Sequence, residues 1–444
     1  MGRFRPALSS TDRRILALAL PALGALVIEP LYNLVDSAIV GHLGAAPLGG
    51  LAVATAALNV IGWAAGFLQM ATVSAVAAKR SAERREEAAR SAGAAYLAAG
   101  LLGLVALVLM ELAAPGLASA LGGHGDRAVR SAAVTYLDIA ALGLPGLLVT
   151  LGGNGHLVGL ADTRRPLRIA LGANLANVAL ELLLVDVVHL GVAGSAWGTV
   201  AAQYLSAGWF LLAARRAAIV ARWPGRQALA ELARAAGPLS VRTMALGVVY
   251  LAATAVAGRL GVTRLGGHQI AMTLWNLLAL GLDALAVPAQ IFVSEALATD
   301  DRDAARRLGG RVLRLGLLAG VLAGIATIAL ALVIPPLFTT ERAIQQQASL
   351  GLVCCGAQQP LAALAYVLDG LVLGAADYTR LRRAMVLALL GFAPLALATA
   401  ASPELGLAGL WVALAMWLAA RAGLLWRRWG ELVGAAQLSG ALAP

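Results

Sequence analysis

The sequence predicts an all-α integral membrane protein, with twelve transmembrane helices in two six-helix lobes related as parallel repeats. Three observations carry that expectation. The first is composition: 60% of the 444 residues are hydrophobic and only 13% are charged, with a mean hydropathy of +0.81. Soluble domains carry about 25% charged residues. The second is that apolar runs of about 20 residues or more recur between short charged or glycine-rich breaks, without the period-2 alternation of a transmembrane strand. The third is that the chain says the same thing twice.

Gly41-His42-Leu43-Gly44 followed by Leu48-Gly49-Gly50 returns as Gly258-Arg259-Leu260-Gly261 followed by Leu265-Gly266-Gly267. Pro21, Pro115 and Pro145 are answered by Pro238, Pro335 and Pro360. Gly159-Leu160-Ala161-Asp162 is answered by Gly374-Ala375-Ala376-Asp377, and Gly191-Val192-Ala193-Gly194 by Gly406-Leu407-Ala408-Gly409. Helix breakers and turns in one order, at a nearly constant offset, imply a unit of about 215 residues used twice. Such duplication in a membrane chain is the architecture of two-lobed secondary transporters.

The spans follow from the breaks. In the first half they lie near 13–40, ending at Gly41-His42, then 49–78, closed by the charged run from Lys79 to Arg90, and 88–112, before Pro115. Next come 128–157, 166–188 after Pro166, and 190–214 up to Arg215. The second half repeats the order at 230–257, 265–298, 306–333, 343–372, 383–400 and 405–426. Trp223-Pro224-Gly225 interrupts the pattern between the halves. The expected organisation is therefore an N-terminal lobe at 1–216, a cytoplasmic linker at 217–229 and a C-terminal lobe at 230–444.

Basic residues sit at the N-terminus (Arg3, Arg5, Arg13, Arg14), in alternate loops and in the tail from Arg421. The other loops hold few charges, such as Asp126 and Arg127, or Glu341 and Arg342. The positive-inside rule then makes both termini cytoplasmic, in what is expected to be a bacterial cytoplasmic membrane. The net charge of +11 is spread over many helix ends, which fits topology and anionic lipid rather than nucleic acid. Arg13-Arg14 resembles a twin-arginine signal, but the long run after it reads as the first span. Cys354 and Cys355 are adjacent in an apolar helix, suited to packing rather than to a disulfide or metal.

Ionisable side chains inside hydrocarbon cost about 2.5–3.5 kcal/mol, so those that remain face a cavity or a partner. Asp36, near the outer end of the first span, has Tyr32 one turn earlier on the same face, with its hydroxyl in reach of the carboxyl group. Asn177 and Glu181 repeat that spacing in the fifth span, and Thr199 adds a hydroxyl in the sixth. At 1.5 Å per residue all three helices place polar groups about 9–12 Å from the outer face. Two carboxyl groups in a partly dehydrated pocket are suited to carrying H⁺; an uncoupled network that locks the bundle is the alternative. In the second half, Arg242 and Asp283 make either a self-satisfied ion pair or a second polar site for a cation or substrate. Asp369 is expected to pair with Arg380 or Arg383. Pro21 and Pro30 lie in the helix that carries Asp36 and permit it to bend.

Leu34-Val35-Asp36 with Gly41-His42-Leu43-Gly44 resembles the first-span signature of the multidrug and toxic compound extrusion (MATE) family. Gly159 to Asp162-Thr163 and Pro166 resembles its fourth-loop motif, and Asn174 to Glu181 with Gly191-Val192-Ala193-Gly194 its fifth and sixth spans. Arg242-Thr243, Gly267-His268-Gln269-Ile270 and Leu282-Asp283 to Ala289-Gln290 are similar to the branch named for DNA-damage-inducible protein F. The resemblance covers nearly the whole chain. It implies an antiporter that exports organic, often cationic and amphipathic, compounds against inward H⁺ or Na⁺. By the same resemblance Tyr32, Asp36, Asn177 and Thr199 match the N-lobe cation site, and Pro21 the proline where the first helix bends. Glu181 stands where aspartate is usual, and Arg242 occupies the seventh span where other branches place acidic residues for Na⁺. H⁺ is therefore the expected coupling ion.

No cofactor or metal is expected, and a functional monomer in the lipid bilayer with small organic substrates is the simplest assembly. A flippase for a lipid-linked sugar or other amphiphile remains the alternative. A membrane-embedded enzyme is disfavoured, since there is no nucleophile elbow or metal-ligand cluster, and most of the histidines (His42, His124, His156, His189, His268) fall at or near loops.

Overall fold

The structure is a computed structural model that describes residues 9–121, 127–216 and 224–434. Among the described residues every regular element is helical. The first half contains α1 (Ser10–Gly41), α2 (Ala45–Ala65), α3 (Phe67–Ala77), α4 (Arg85–Leu121), α5 (Arg127–Ala141), α6 (Leu144–Gly159), α7 (Arg164–Leu182) and α8 (Val192–Arg216). The second contains α9 (Gly225–Arg259), α10 (Val262–Ala298), α11 (Arg302–Ala329), α12 (Arg342–Gly374), α13 (Tyr378–Ala401) and α14 (Gly406–Gly434). Helices α2 and α3 run on as one apolar stretch, and α5 and α6 form a pair bent by 54°. Among the described residues ten stretches are long and apolar enough to cross a membrane, and the bent pair makes eleven. With the 25-residue α8 there are twelve helical segments in the order expected.

The duplication is written in the backbone. Gly44 and Gly261, which precede α2 and α10, take φ of 120° and 106°. Gly191, just before α8, and Gly406, the first residue of α14, take 58° and 57°, and even alanine adopts the left-handed region at Ala161 (59°) and Ala376 (55°). The aspartates that follow those alanines cap the next helix in the same way. Asp162 accepts from the Arg165 amide at 3.0 Å and Asp377 from the Arg380 amide at 3.1 Å, satisfying helix-start amides that have no intrahelical partner. Packing repeats too: a Cβ on Gly50 would lie 2.5 Å from Ala132, and one on Gly267 2.5 Å from Gln347. Small residues are therefore what let α2 approach α5, and α10 approach α12.

The chain divides into two compact units, and the division cuts through helices. One unit is Gly24–Ser240; the other joins the residues up to Leu23 to those from Val241 on. Both cuts fall two residues after matching prolines, Pro21 and Pro238, inside helices that are otherwise continuous. The sequence expectation drew its lobes at 216 and 230 because composition changes there. Packing instead assigns the first turns of α1 and α9 to the unit opposite in sequence. Of the expected linker, residues 217–223, including Trp223, lie outside the described residues, as do His124, Asp126, Arg3 and Arg5, while Gly225 already opens α9.

Ion pairs hold each exchanged segment. In the unit from Val241, Asp12 accepts from Arg311 Nε and Nη2 at 2.7 and 2.9 Å, and Arg14 lies over the Phe292 ring at 4.9 Å. In the Gly24–Ser240 unit, Lys79 bonds Glu231 at 2.7 Å and Ser240 donates to the Ala64 carbonyl at 3.0 Å. That unit's core is small-residue and aromatic: Leu51, Ala54, Met110, Tyr136, Leu137, Leu144 and Ala196 form one cluster, and Val76, Tyr96, Leu157 and Phe210 another. His156 and His268 are buried, 2% and 0% exposed, rather than at loop surfaces. Both cysteines are free, and Cys355 is packed in the core.

Candidate functional site

Helices α1, α5, α7 and α8 bring seven polar side chains together in the Gly24–Ser240 unit. Asp36 is 4% exposed and accepts a 2.6 Å hydrogen bond from Ser195 Oγ. Tyr32 does not reach Asp36, as the helical spacing alone suggested. Its hydroxyl bonds Thr199 Oγ1 at 3.0 Å, and Tyr136 bonds the same atom at 3.3 Å. Thr199 has one proton, which it donates to the Ser195 carbonyl at 3.2 Å. Both tyrosines are therefore donors to it. This orders α1, α5 and α8 around one hydroxyl.

Glu181 is 0% exposed, and Asn177 is 2% exposed on the same face of α7. Both Glu181 carboxyl oxygens and Asn177 Oδ1 lack a hydrogen bond of normal geometry, while Asp36 and Ser195 lie within electrostatic reach of Glu181. The site is thus rich in acceptors that have no donor, and among the described residues no lysine or arginine bonds either carboxyl group. The close approach depends on Gly198 of α8, where a Cβ would lie 2.9 Å from Asn177 Oδ1 and 3.4 Å from the Glu181 amide nitrogen. Just past Glu181 the chain widens into a π-helical turn, Leu183–Val187, with the Val188 amide bonded to the Leu183 carbonyl at 2.9 Å. Such turns recur where a helix must re-aim side chains.

All five residues expected in the cation site, Tyr32, Asp36, Asn177, Glu181 and Thr199, lie in this group. Ser195 and Tyr136 were missed. Ser195 precedes Thr199 by one helical turn, a spacing that could have found it. Tyr136 had no such marker. Pro21 lies well away along α1, at the margin of the compact unit.

The second unit carries a different cluster. Arg242 of α9 pairs with Asp369 of α12 at 2.5 Å, not with Asp283, and Asp369 pairs with Arg421 of α14 rather than with Arg380 or Arg383. The reason is burial. Arg421 is 0% exposed, enclosed over the rings of Tyr366 at 4.8 Å and Trp417 at 5.5 Å, where the sequence suggested a basic tail. Tyr366 bonds Tyr250 at 3.2 Å, and Trp275 donates to Tyr250 at 3.1 Å. Asp283 is half-buried within the field of both arginines and of Asp369, without a hydrogen bond of its own. Gln358 donates to the Trp411 carbonyl at 2.8 Å, an interhelical bond between α12 and α14.

A family model described as MatE matches this chain twice, over residues 21–183 and 238–401. DNA damage-inducible protein F of Escherichia coli is 31% identical over 95% of this chain and 93% of its own length. Protein DETOXIFICATION 44, chloroplastic, of Arabidopsis thaliana is 31% identical over 94% of this chain and 82% of its own. Among solved structures, a MATE transporter in a bent conformation superposes with a TM-score of 0.89 at 19% identity, over 98% of both chains. A MOP superfamily transporter from Pyrococcus furiosus gives 0.86 at 18% identity, over 97% of both.

Proposed function

The chain belongs to the MatE family of multidrug and toxin extrusion transporters, a membrane transporter and not an enzyme, and on that premise we propose that it is an H⁺-driven antiporter for organic compounds. The observation that carries the reading is that Asp36 and Glu181 are both buried within electrostatic reach of each other, beside hydroxyls and an amide, with no cationic side chain bonded to either among the described residues. Two carboxylates cannot share such a pocket as a dianion, so a proton or small cation belongs with them. Ser195 orients Asp36, Tyr32 and Tyr136 fix Thr199, and Asn177 presents an amide to the same space. H⁺ is favoured over Na⁺ because Arg242, paired with Asp369, occupies the part of α9 where the resemblance places acidic residues for Na⁺ in other branches.

In this scheme H⁺ enters from the outer side onto Asp36 and Glu181, shifts the α1 backbone near Pro21, and releases cargo outward. Loss of the proton on the cytoplasmic side permits reloading. The chain works as a monomer in a bacterial cytoplasmic membrane with both termini inside. One charge moved through 100 mV gains about 2.3 kcal/mol, which supports about 40-fold accumulation of an uncharged substrate; a monovalent cation exchanged for one H⁺ moves no net charge, so its export is driven by the pH difference alone.

The test is efflux of a fluorescent organic cation from proteoliposomes under an imposed pH gradient or an imposed Na⁺ gradient, with wild type beside Asp36→Asn. Transport driven by H⁺ and reduced at least tenfold by the substitution is the expected result. Equal transport by Asp36→Asn overturns the proton site, and a response to Na⁺ alone overturns the ion assignment. No transport under either gradient turns the reading to a flippase, for which a lipid-linked sugar is the substrate to assay.

A further inference from the structure

Glu29 is a second acid in α1, two helical turns before Asp36, and nothing in the proton scheme uses it. Seven residues rotate a helix to within about 20° of two full turns and advance it by about 10 Å. Glu29 and Asp36 therefore lie on one face. At Asp36 that face is closed, 4% exposed beneath Ser195. At Glu29 it is open: the side chain is exposed. Among the described residues Glu29 has no hydrogen bond and no ion pair.

The backbone adds a second acceptor. Pro30 has no amide proton, so the Leu26 carbonyl, one turn back, loses its normal intrahelical partner. Leu26 stands three residues before Glu29, on the same side of the helix. A carboxylate and a freed carbonyl side by side in mid-span form a surface that accepts and does not donate. A bare carboxylate at that depth costs about 2.5–3.5 kcal/mol unless water, a cation or a proton meets it. The second repeat has no such feature, because Leu246 stands at the matching position.

We infer that Glu29 is the docking carboxylate for the positively charged group of the exported compound, an amine or quaternary ammonium. The inference rests on the proposed export of organic cations and names where their charge is held. The division of labour follows from access. The Asp36 and Glu181 carboxyl groups are buried, out of reach of a bulky cargo, whereas the Glu29 side chain is exposed and can meet one. Protonation of Glu29 removes the charge that holds the cargo, so the same H⁺ that drives exchange also competes at this carboxylate.

Equilibrium binding to the purified full chain in detergent tests this, with rhodamine 6G as the cationic probe and Nile red as an uncharged one. The variants are Glu29→Gln, Glu29→Asp and Glu29→Leu, the last copying the second repeat, with melting temperature as the folding control. Glu29→Gln and Glu29→Leu should each weaken rhodamine 6G about tenfold. Nile red should change less than about twofold in both, and Glu29→Asp should stay within about threefold of wild type for rhodamine 6G. If wild type binds rhodamine 6G and the two neutral variants bind it equally well, the inference is overturned while cation export stands. If wild type neither binds nor carries rhodamine 6G, the export reading falls and the inference falls with it.

Discussion

Two halves of this molecule descend from one unit, yet they keep their polar residues in different places. Position by position, the pocket made by Tyr32, Asp36, Asn177, Glu181, Ser195 and Thr199 corresponds in the second repeat to Val249, Ala253, Phe392, Ala396, Leu410 and Leu414. Every one of those six is at most 4% exposed. The reverse also holds. Arg242, Asp283, Asp369 and Arg421 stand where the first repeat has Ala25, Gly66, Asn154 and Ser206. The fold tolerates either an apolar or a polar filling at each level. What differs is completeness: the second unit's carboxylate Asp369 is matched by two guanidinium groups, while the first unit's Glu181 has no matched partner. A satisfied cluster stabilises a bundle, and an unsatisfied one is available to a mobile ion.

That contrast is open to direct attack. The largest effect should come from Asp369→Ala, which leaves Arg242 and Arg421 buried without their carboxylate and should cost about 3–5 kcal/mol, read as a large drop in melting temperature. Asp36→Asn removes no ion pair and leaves an oxygen to accept from Ser195, so its melting temperature should stay near wild type. Equal losses would erase the distinction between a structural and a functional cluster. Next in size is Gly198→Ala, which presses a methyl group on Asn177 and should cost about 1–3 kcal/mol and slow transport. The second repeat carries Ala413 at this position, fully buried, and Phe392 rather than an amide at the position that matches Asn177. A neutral Gly198→Ala would mean that α7 and α8 need not approach so closely. The smallest effect is expected for Tyr136→Phe, which removes one of two tyrosine bonds to Thr199 and should cost about 1 kcal/mol. Chemical denaturation of the purified variant checks it, and a loss much above that would show Tyr136 to hold more than Thr199.

Much of the site was legible in advance because each of its helices displays its polar residues at helical spacing. Asn177 and Glu181 lie one turn apart, and the depths of Asp36, Glu181 and Thr199 agree when counted from the breaks. The hydrogen bonds were not legible. Helix periodicity brings Tyr32 beside Asp36, but the hydroxyls that capture both come from α8, 167 and 159 residues away. Arg421 was misread for a similar reason. A single arginine near a basic tail counts as topology, and only the arrival of Tyr366, Trp417 and Asp369 around it shows a buried ion.

The amino-acid sequence by itself determined the membrane environment, the helices, the duplication and the turns that recur in it. These rest on hydropathy, glycine and proline stereochemistry and aspartate capping, all of which act over a few residues. Tertiary structure decided which charges are satisfied and where the compact units part. Pro21 and Pro238 were visible as matching prolines, but the exchange of the first turns of α1 and α9 depends on the fit of Asp12 to Arg311 and of Lys79 to Glu231. Those partners are separated by 299 and 152 residues, and no local pattern records a contact over such a span.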